Sequence, residues 1–373
     1  MVQDLFAKRR LISGRLSFRS VFANIAAATA ILASGCQRSS GARGGFSVHP
    51  HPARANGEIT IAAVGDILLD RGVAREMAAH GWAAPFRGTA GILRSADIAT
   101  GNLECPLADR AEKVVKPFCF RARPASAAAL TYAGLDVLNV ANNHTMDCGR
   151  DGLLETLSTL KGRGLRWCGG CDDEAEAEAP TIVTVRGIRV GFLGFCEFIP
   201  EGVFLRADRP SIAFASEENV LRVVTAARRQ CDVLVCEFHW GVEHTQWPTE
   251  RQRRLARIAA GAGADLILGH HPHVLQGLEV IHSHGRRTLV IYSLGNFVFD
   301  QGLGLNRPEV ATVILECRLG KGGIRSAGFV PARIIDCSPR SAKGADGGAI
   351  ATRLAELSAG GGVRITGNEI QFR

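Results

Sequence analysis

The sequence predicts an α/β protein that carries its chemistry along one edge of its sheet structure. Six short apolar runs end in residues that can bind or react, and helical patterns stand between several of them. The composition agrees: of 373 residues, 46% are hydrophobic and 21% charged, which suits one large folded domain or two modest ones.

Along the chain, a basic stretch to Arg19 precedes the apolar VFANIAAATAILASG of 21–35, which reads as an export signal. Ala33-Ser34-Gly35-Cys36 resembles the lipobox of bacterial lipoproteins, so residues 1–35 are expected to be a lipoprotein-type signal peptide and Cys36 the lipidated residue. A flexible leader or a single membrane anchor is the alternative. The apolar run falls short of the roughly 20 residues of a comfortable span. Residues 36–57 lack apolar periodicity and read as a linker.

Folded structure is expected from Glu58. EITIAAVGD (58–66) is a buried strand delivering Asp66 at its end, and a helix interrupted by turns follows. ADIATGNLE (96–104) ends in Asn102 and Glu104, and GLDVLNVANNH (134–144) in Asn142, Asn143 and His144. IRVGFLGFC (188–196) is a further strand; CDVLVCEFHWG (231–241) ends in Glu237 and His239. ADLILGHHPHV (264–274) ends in His270, His271 and His273, and TLVIYSLGNFVF (288–299) carries Asn296. Helices are expected around 151–163 and 249–262. The acidic DDEAEAEA (172–179) reads as a solvated loop, because it lacks the ligand spacing of a calcium loop. From 308 a closing hairpin is expected, then a turn over 341–348 and a helix over 351–359. The domain is thus expected over 58–335, with 336–373 a C-terminal extension packed on it.

Charge and cysteine content narrow the function. Lys8, Arg9, Arg10, Arg15 and Arg19 against Asp4 account for half of the +8 formal charge, and the remaining basic residues are dispersed. With only 6% aromatic residues, the chain has little material for stacking nucleic acid bases, so no nucleic acid partner is expected. Eleven cysteines lack paired CxxC motifs, and several lie in strand-like apolar runs where a buried thiol is the ordinary outcome.

Asp66, Glu104, Asn143, His239, His271 and His273 supply carboxylate, amide and imidazole donors, a set that suits Mn, Fe or Zn better than Ca. Each residue alone has a plainer reading: Asp66 as a helix cap, Glu104 as a terminus acid, the Asn pair as a turn, a lone His239 as structural. His144 serves either proton transfer or a hydrogen bond to a carboxylate. Arg71, Asn142, Glu243, His270 and Asn296 are candidate substrate contacts; each also reads as a surface, turn or supporting residue.

VGDILLDR (64–71), NLECPL (102–107), ANNHTMDCGRDG (141–152), FHWGVEHTQWPTERQRRLA (238–256), GADLILGHHPHVLQGLEV (263–280) and YSLGNFVFD (292–300) occur in an order that resembles the bacterial capsule-synthesis CapA, or poly-gamma-glutamate synthesis, family. That family lies within the calcineurin-like metallophosphoesterase superfamily. The resemblance covers roughly 58–335. It implies a four-layer α/β/β/α metallophosphatase-like sandwich holding one or two divalent ions. Asp66 would match the superfamily's first aspartate, Glu104 would replace its bridging aspartate, and Asn143, His239, His271 and His273 would be further ligands. Asp66, Glu104 and His144 would be catalytic, His144 assisting leaving-group departure. The superfamily's opening Asp-x-His is broken here, because Leu68 stands where the histidine belongs.

The function so implied is metal-dependent hydrolysis in the synthesis, processing or export of an anionic envelope polymer such as poly-gamma-glutamate. Alternatives are a non-catalytic polymer-binding or assembly factor and a phosphoesterase on a small or envelope phosphoester. A membrane-bound capsule synthesis complex and the lipid bilayer are the expected partners. The expected location is outside the cytoplasmic membrane or in the periplasm, attached to the membrane.

Overall fold

The computed structural model describes residues 57–200, 209–301 and 307–373. Cys36 and all but the last residue of the expected linker lie outside them. Two sheets carry the fold. The first is ordered Val363–Thr366, Glu369–Phe372, Gly323–Ile335, Ala311–Gly320, Glu58–Ile67, Ile98–Leu103, Val137–Asn139, Arg166–Cys168, with Asn296–Val298 and Ser338–Ser341 joined to its Glu58–Ile67 and Gly323–Ile335 strands. The second runs Leu278–Ser283, Arg286–Ile291, Leu266–His270, Val233–His239, Ile188–Cys196, Thr181–Val185. Four consecutive strands of each sheet are parallel neighbours, so their carboxyl ends share one edge.

Strand alternation builds four layers. Ile59, Ile61 and Ala63 point between the sheets with Val233, Val235, Leu266 and Leu268, whereas Ala62 and Val64 face helices Arg71–His80, Ala127–Ala133 and Gly149–Gly162. On the far side, Leu234, Cys236 and Phe238 pack under helices Glu217–Arg228 and Glu250–Ala262. The second of these helices opens with a capping box: Thr249 accepts from the Gln252 N–H, and the Gln252 side chain accepts from the Thr249 N–H. The result is an α/β/β/α sandwich.

Three expectations change. The apolar run 288–299 is not one strand: Arg286–Ile291 belongs to the second sheet and Asn296–Val298 to the first, so the chain crosses between sheets at Ser293–Gly295. The turn expected over 341–348 is shorter, because a helix spans Gly344–Leu357 and Asp346 in its first turn pairs with Arg333. The acidic loop 172–179 contains a helical turn, Glu174–Ala177, with Asp173 accepting from the Glu176 N–H at 2.8 Å.

Ile350, Leu354 and Leu357 from the C-terminal helix are buried in the core between the sheets. Leu354→Ala is therefore expected to cost about 2–5 kcal/mol of unfolding free energy. Denaturant titration checks this; a loss below about 1 kcal/mol would show that the segment is peripheral.

Asp97 ties the first sheet to its second strand's entry. Burial pushes its carboxyl up, but the Thr60 N–H and hydroxyl, at 2.8 and 3.0 Å, and Arg186, at 2.9 Å, outweigh that and hold it below 3.8. A depressed carboxyl stabilises the fold above its unfolded pKa and loses that contribution as pH falls through the folded value. Asp97→Asn is expected to cost about 1–2 kcal/mol at pH 7, with the gap to wild type closing below pH 3.8 in acid-unfolding curves.

No disulfide joins the ten cysteines of the described residues; nine are buried, Cys119 partly exposed. No helix among these residues is long and apolar enough to cross a membrane.

Candidate metal centre

Glycines before the candidate ligands let neighbouring backbone close in. A Cβ on Gly65 would lie 1.8 Å from the Gly295 carbonyl oxygen, the same oxygen that accepts from the Asp66 N–H at 3.0 Å. Gly269 meets the Tyr292 carbonyl just as closely, at 1.9 Å for a Cβ. The sheet crossing at Ser293–Gly295 thereby locks both strand ends, and Asp66 faces Asn296 in register. The closing run then turns through left-handed conformations at His271 (φ 93°) and His273 (φ 59°). Such backbone costs about 1–3 kcal/mol per residue outside glycine and is held only where the surroundings enforce it.

Six side chains converge. His239 Nε2 lies 2.8 Å from Asn143 Oδ1, 3.1 Å from His271 Nδ1 and 3.6 Å from Glu104 Oε1. His273 places Nε2 at 3.8 Å from the same Glu104 oxygen and Nδ1 at 3.4 Å from Asp66 Oδ2. Glu104, His271 and His273 each offer a donor atom within 4.8 Å of the others. Glu104 therefore stands between two groups of donors: Asn143, His239 and His271 on one side, Asp66 and His273 on the other.

Electrostatics mark Glu104 as the incomplete member. Its side chain is fully buried and, among the described residues, neither carboxylate oxygen has a hydrogen bond. Burial and the neighbouring Asp66 push its carboxyl well above the usual range. A buried anion with no donor is costly unless a cation completes it. Burial and adjacent imidazoles lower His239 well below 6.5 and bring His271 to about 3, so both present neutral nitrogens, the form that binds metal. His273 goes the other way: burial lowers it, but Glu104 and Asp66 outweigh that and raise it to about 9. Asp66 is pushed up by burial and held down by His273, His270 and Asn102, ending low. Orphaned carboxylate, neutral imidazoles and an amide oxygen fit a divalent cation of borderline hardness.

The remaining candidates divide into interior supports and rim. Asn142, expected at the substrate, is instead fully engaged: its Nδ2 donates to Asn102 Oδ1 and the Leu103 carbonyl, and its Oδ1 accepts from His144 N–H and the Thr145 hydroxyl. His270 is likewise turned inward, with Nε2 3.2 Å from Glu237 and Nδ1 3.6 Å from Asp66. Asn296 Oδ1 meets His273 Nδ1 at 2.8 Å, which orients that ring. Arg71 and Glu243 are at the surface. Arg71 pairs with Asp300 and lies 4.6 Å over the Phe120 ring, beside His144. Glu243 is half exposed, next to His244.

Asn102, Asn139, Phe198 and Asp147 had no role in the sequence reading. Asn102 donates to Asp66 Oδ1 at 2.9 Å and contacts His239 Nδ1 at 3.2 Å, while Asn139 donates to Asn102 Oδ1 at 3.0 Å. Phe198 packs on His271 at 4.4 Å between ring centres. His144 Nδ1 meets Asp147 Oδ2 at 2.9 Å. The spacing of three between His144 and Asp147 was the available signal for that pair. Leu68, two residues after Asp66, is buried in the apolar core under the helices and offers no donor.

A family model for the bacterial capsule synthesis protein PGA_cap matches residues 60–301, a stretch that contains all six converging side chains. The capsule biosynthesis protein CapA of Bacillus anthracis is 32% identical over 302 residues, covering 79% of this chain and 72% of that protein. The PGA biosynthesis protein CapA of Bacillus subtilis (strain 168) is 32% identical over 288 residues, covering 76% and 74%. Among solved structures, a 5'-nucleotidase precursor from Thermus thermophilus aligns with a TM-score of 0.47 at 14% identity, over 80% of this chain and 58% of that one. By the family match and these two relatives, the chain belongs to the bacterial capsule synthesis protein PGA_cap family.

Proposed function

We propose that this protein is a metal-dependent hydrolase acting on an anionic envelope polymer of the poly-gamma-glutamate type during its synthesis, processing or export. The observation that carries this reading is Glu104, a buried carboxylate amid imidazoles with no donor among the described residues. Asp66, Glu104, Asn143, His239, His271 and His273 would hold one or two ions of Mn, Fe or Zn. When bound, the ion supplies Lewis acidity toward the scissile group and toward water.

The chain's own residues do the rest. Asn102 and His270 fix Asp66, and Asn296 fixes the His273 ring. His144, held at Nδ1 by Asp147, keeps Nε2 free to take a proton from the attacking water and pass it to the leaving group. Phe120 and Phe198 wall the imidazoles and limit access of bulk water. Arg71 supplies positive charge at the rim for an anionic chain. We place the protein outside the cytoplasmic membrane, attached through its amino terminus and working with a membrane-bound synthesis complex.

The test is elemental analysis of purified protein followed by a hydrolysis panel of phosphoesters and gamma-glutamyl amides. Bound metal with turnover of either class supports the hydrolase. Bound metal with no turnover of either supports the second reading, a polymer-binding assembly factor, which the donor-free Leu68 favours by leaving the Asp66 side of the centre one ligand short.

A further inference from the structure

Residues 108–123 form a loop over His144 that inverts the usual placement of its side chains. Val115 and Phe118 stand out in solvent, at 104% and 68% exposure, while the side chain of Lys116 between them is buried, only 6% exposed. Burying an ammonium costs several kcal/mol, roughly, unless it is paired. Lys116 Nζ lies 2.5 Å from Asp147 Oδ1 and donates to the Asn143 carbonyl at 3.2 Å. The other Asp147 oxygen accepts from the Phe120 N–H at 2.6 Å and meets His144 Nδ1 at 2.9 Å. The Phe120 ring packs on the imidazole at 4.1 Å, and the Val114 N–H donates to the Asp147 carbonyl at 2.8 Å. One loop therefore holds both the carboxylate that orients His144 and the face of the ring.

We propose that Lys116 is a positioning residue: by pairing with Asp147 Oδ1 it commits Oδ2 to His144 and fixes the Nδ1–H tautomer, so the loop must be seated for His144 to act. A carboxylate bonded to Nδ1–H sets ring orientation and leaves Nε2 for the substrate. This rests on reading His144 as the group whose Nε2 takes a proton from water and passes it to the leaving group. Lys116 touches no substrate and acts through Asp147 alone.

The tautomer is read directly by long-range proton–nitrogen correlation spectra of protein labelled with 15N-histidine, with His144→Gln assigning the signal. Wild type is expected as Nδ1–H, Lys116→Arg to keep it, and Lys116→Met to show mixed tautomers. Asp147→Asn, which interrupts the pair from the other side, is expected to shift the ring toward the Nε2–H form. Turnover should fall about 10–100-fold in kcat in Lys116→Met with KM within about twofold, and recover in Lys116→Arg. An unchanged His144 signal in Lys116→Met, whatever Asp147→Asn shows, would overturn the proposal and leave Lys116 as a loop anchor. Absence of all hydrolysis would refute the hydrolase reading, while the spectra would still decide the role of Lys116.

Discussion

His239→Ala and His271→Ala are each expected to lower divalent-ion affinity by more than about 100-fold, since even partners one bond removed from an ion are worth about 10–100-fold. His239 Nε2 is the point where Asn143, His271 and Glu104 meet, so its loss opens one side of the centre. Neither change should unfold the chain, because the imidazoles are held by polar neighbours and the apolar layers lie beneath them. Elemental analysis after dialysis reads the outcome, with thermal unfolding as the control for folding. Full metal content in both variants would sink the proposed centre.

Glu104→Gln is expected to separate stability from ion binding. Without an ion, the buried Glu104 carboxyl has no donor at either oxygen among the described residues, and burial with Asp66 already favours its uncharged form. A neutral amide of the same shape should therefore change the stability of the ion-free protein by less than about 1 kcal/mol. The same change should abolish the stabilisation that an added divalent ion gives wild type, since that stabilisation follows affinity. Unfolding scans in chelator and in added Mn or Zn give both numbers. A variant less stable in chelator, yet still stabilised by ion as strongly as wild type, would show that Glu104 is an ordinary structural acid.

Much of the centre was legible because chemistry accumulates at strand ends. Asp66, Glu104, His239 and the closing histidines each follow an apolar run, and parallel neighbours must bring such ends to one edge. What the sequence withheld depends on tertiary approach. The run 288–299 reads as a single strand because its apolar residues continue on both sides of Ser293–Asn296; only packing reveals that it changes sheets and sets Asn296 opposite Asp66. His270 and Asn142 looked available for substrate because polarity is visible in a sequence and direction is not. Lys116 was hidden for the converse reason, since a lysine between valine and proline in a loop carries no mark of burial.

The cysteines have a use beyond packing. Each layer of the sandwich holds its own thiols: Cys105 and Cys337 under the first set of helices, Cys168 and Cys317 between the sheets, Cys231 and Cys236 beneath the second set. Burial raises all of them above the ordinary thiol range, so alkylation must wait for the layer to open. Cys119, partly exposed, should label first. The order in which the others follow under mild denaturant would map, layer by layer, where the molecule first comes apart.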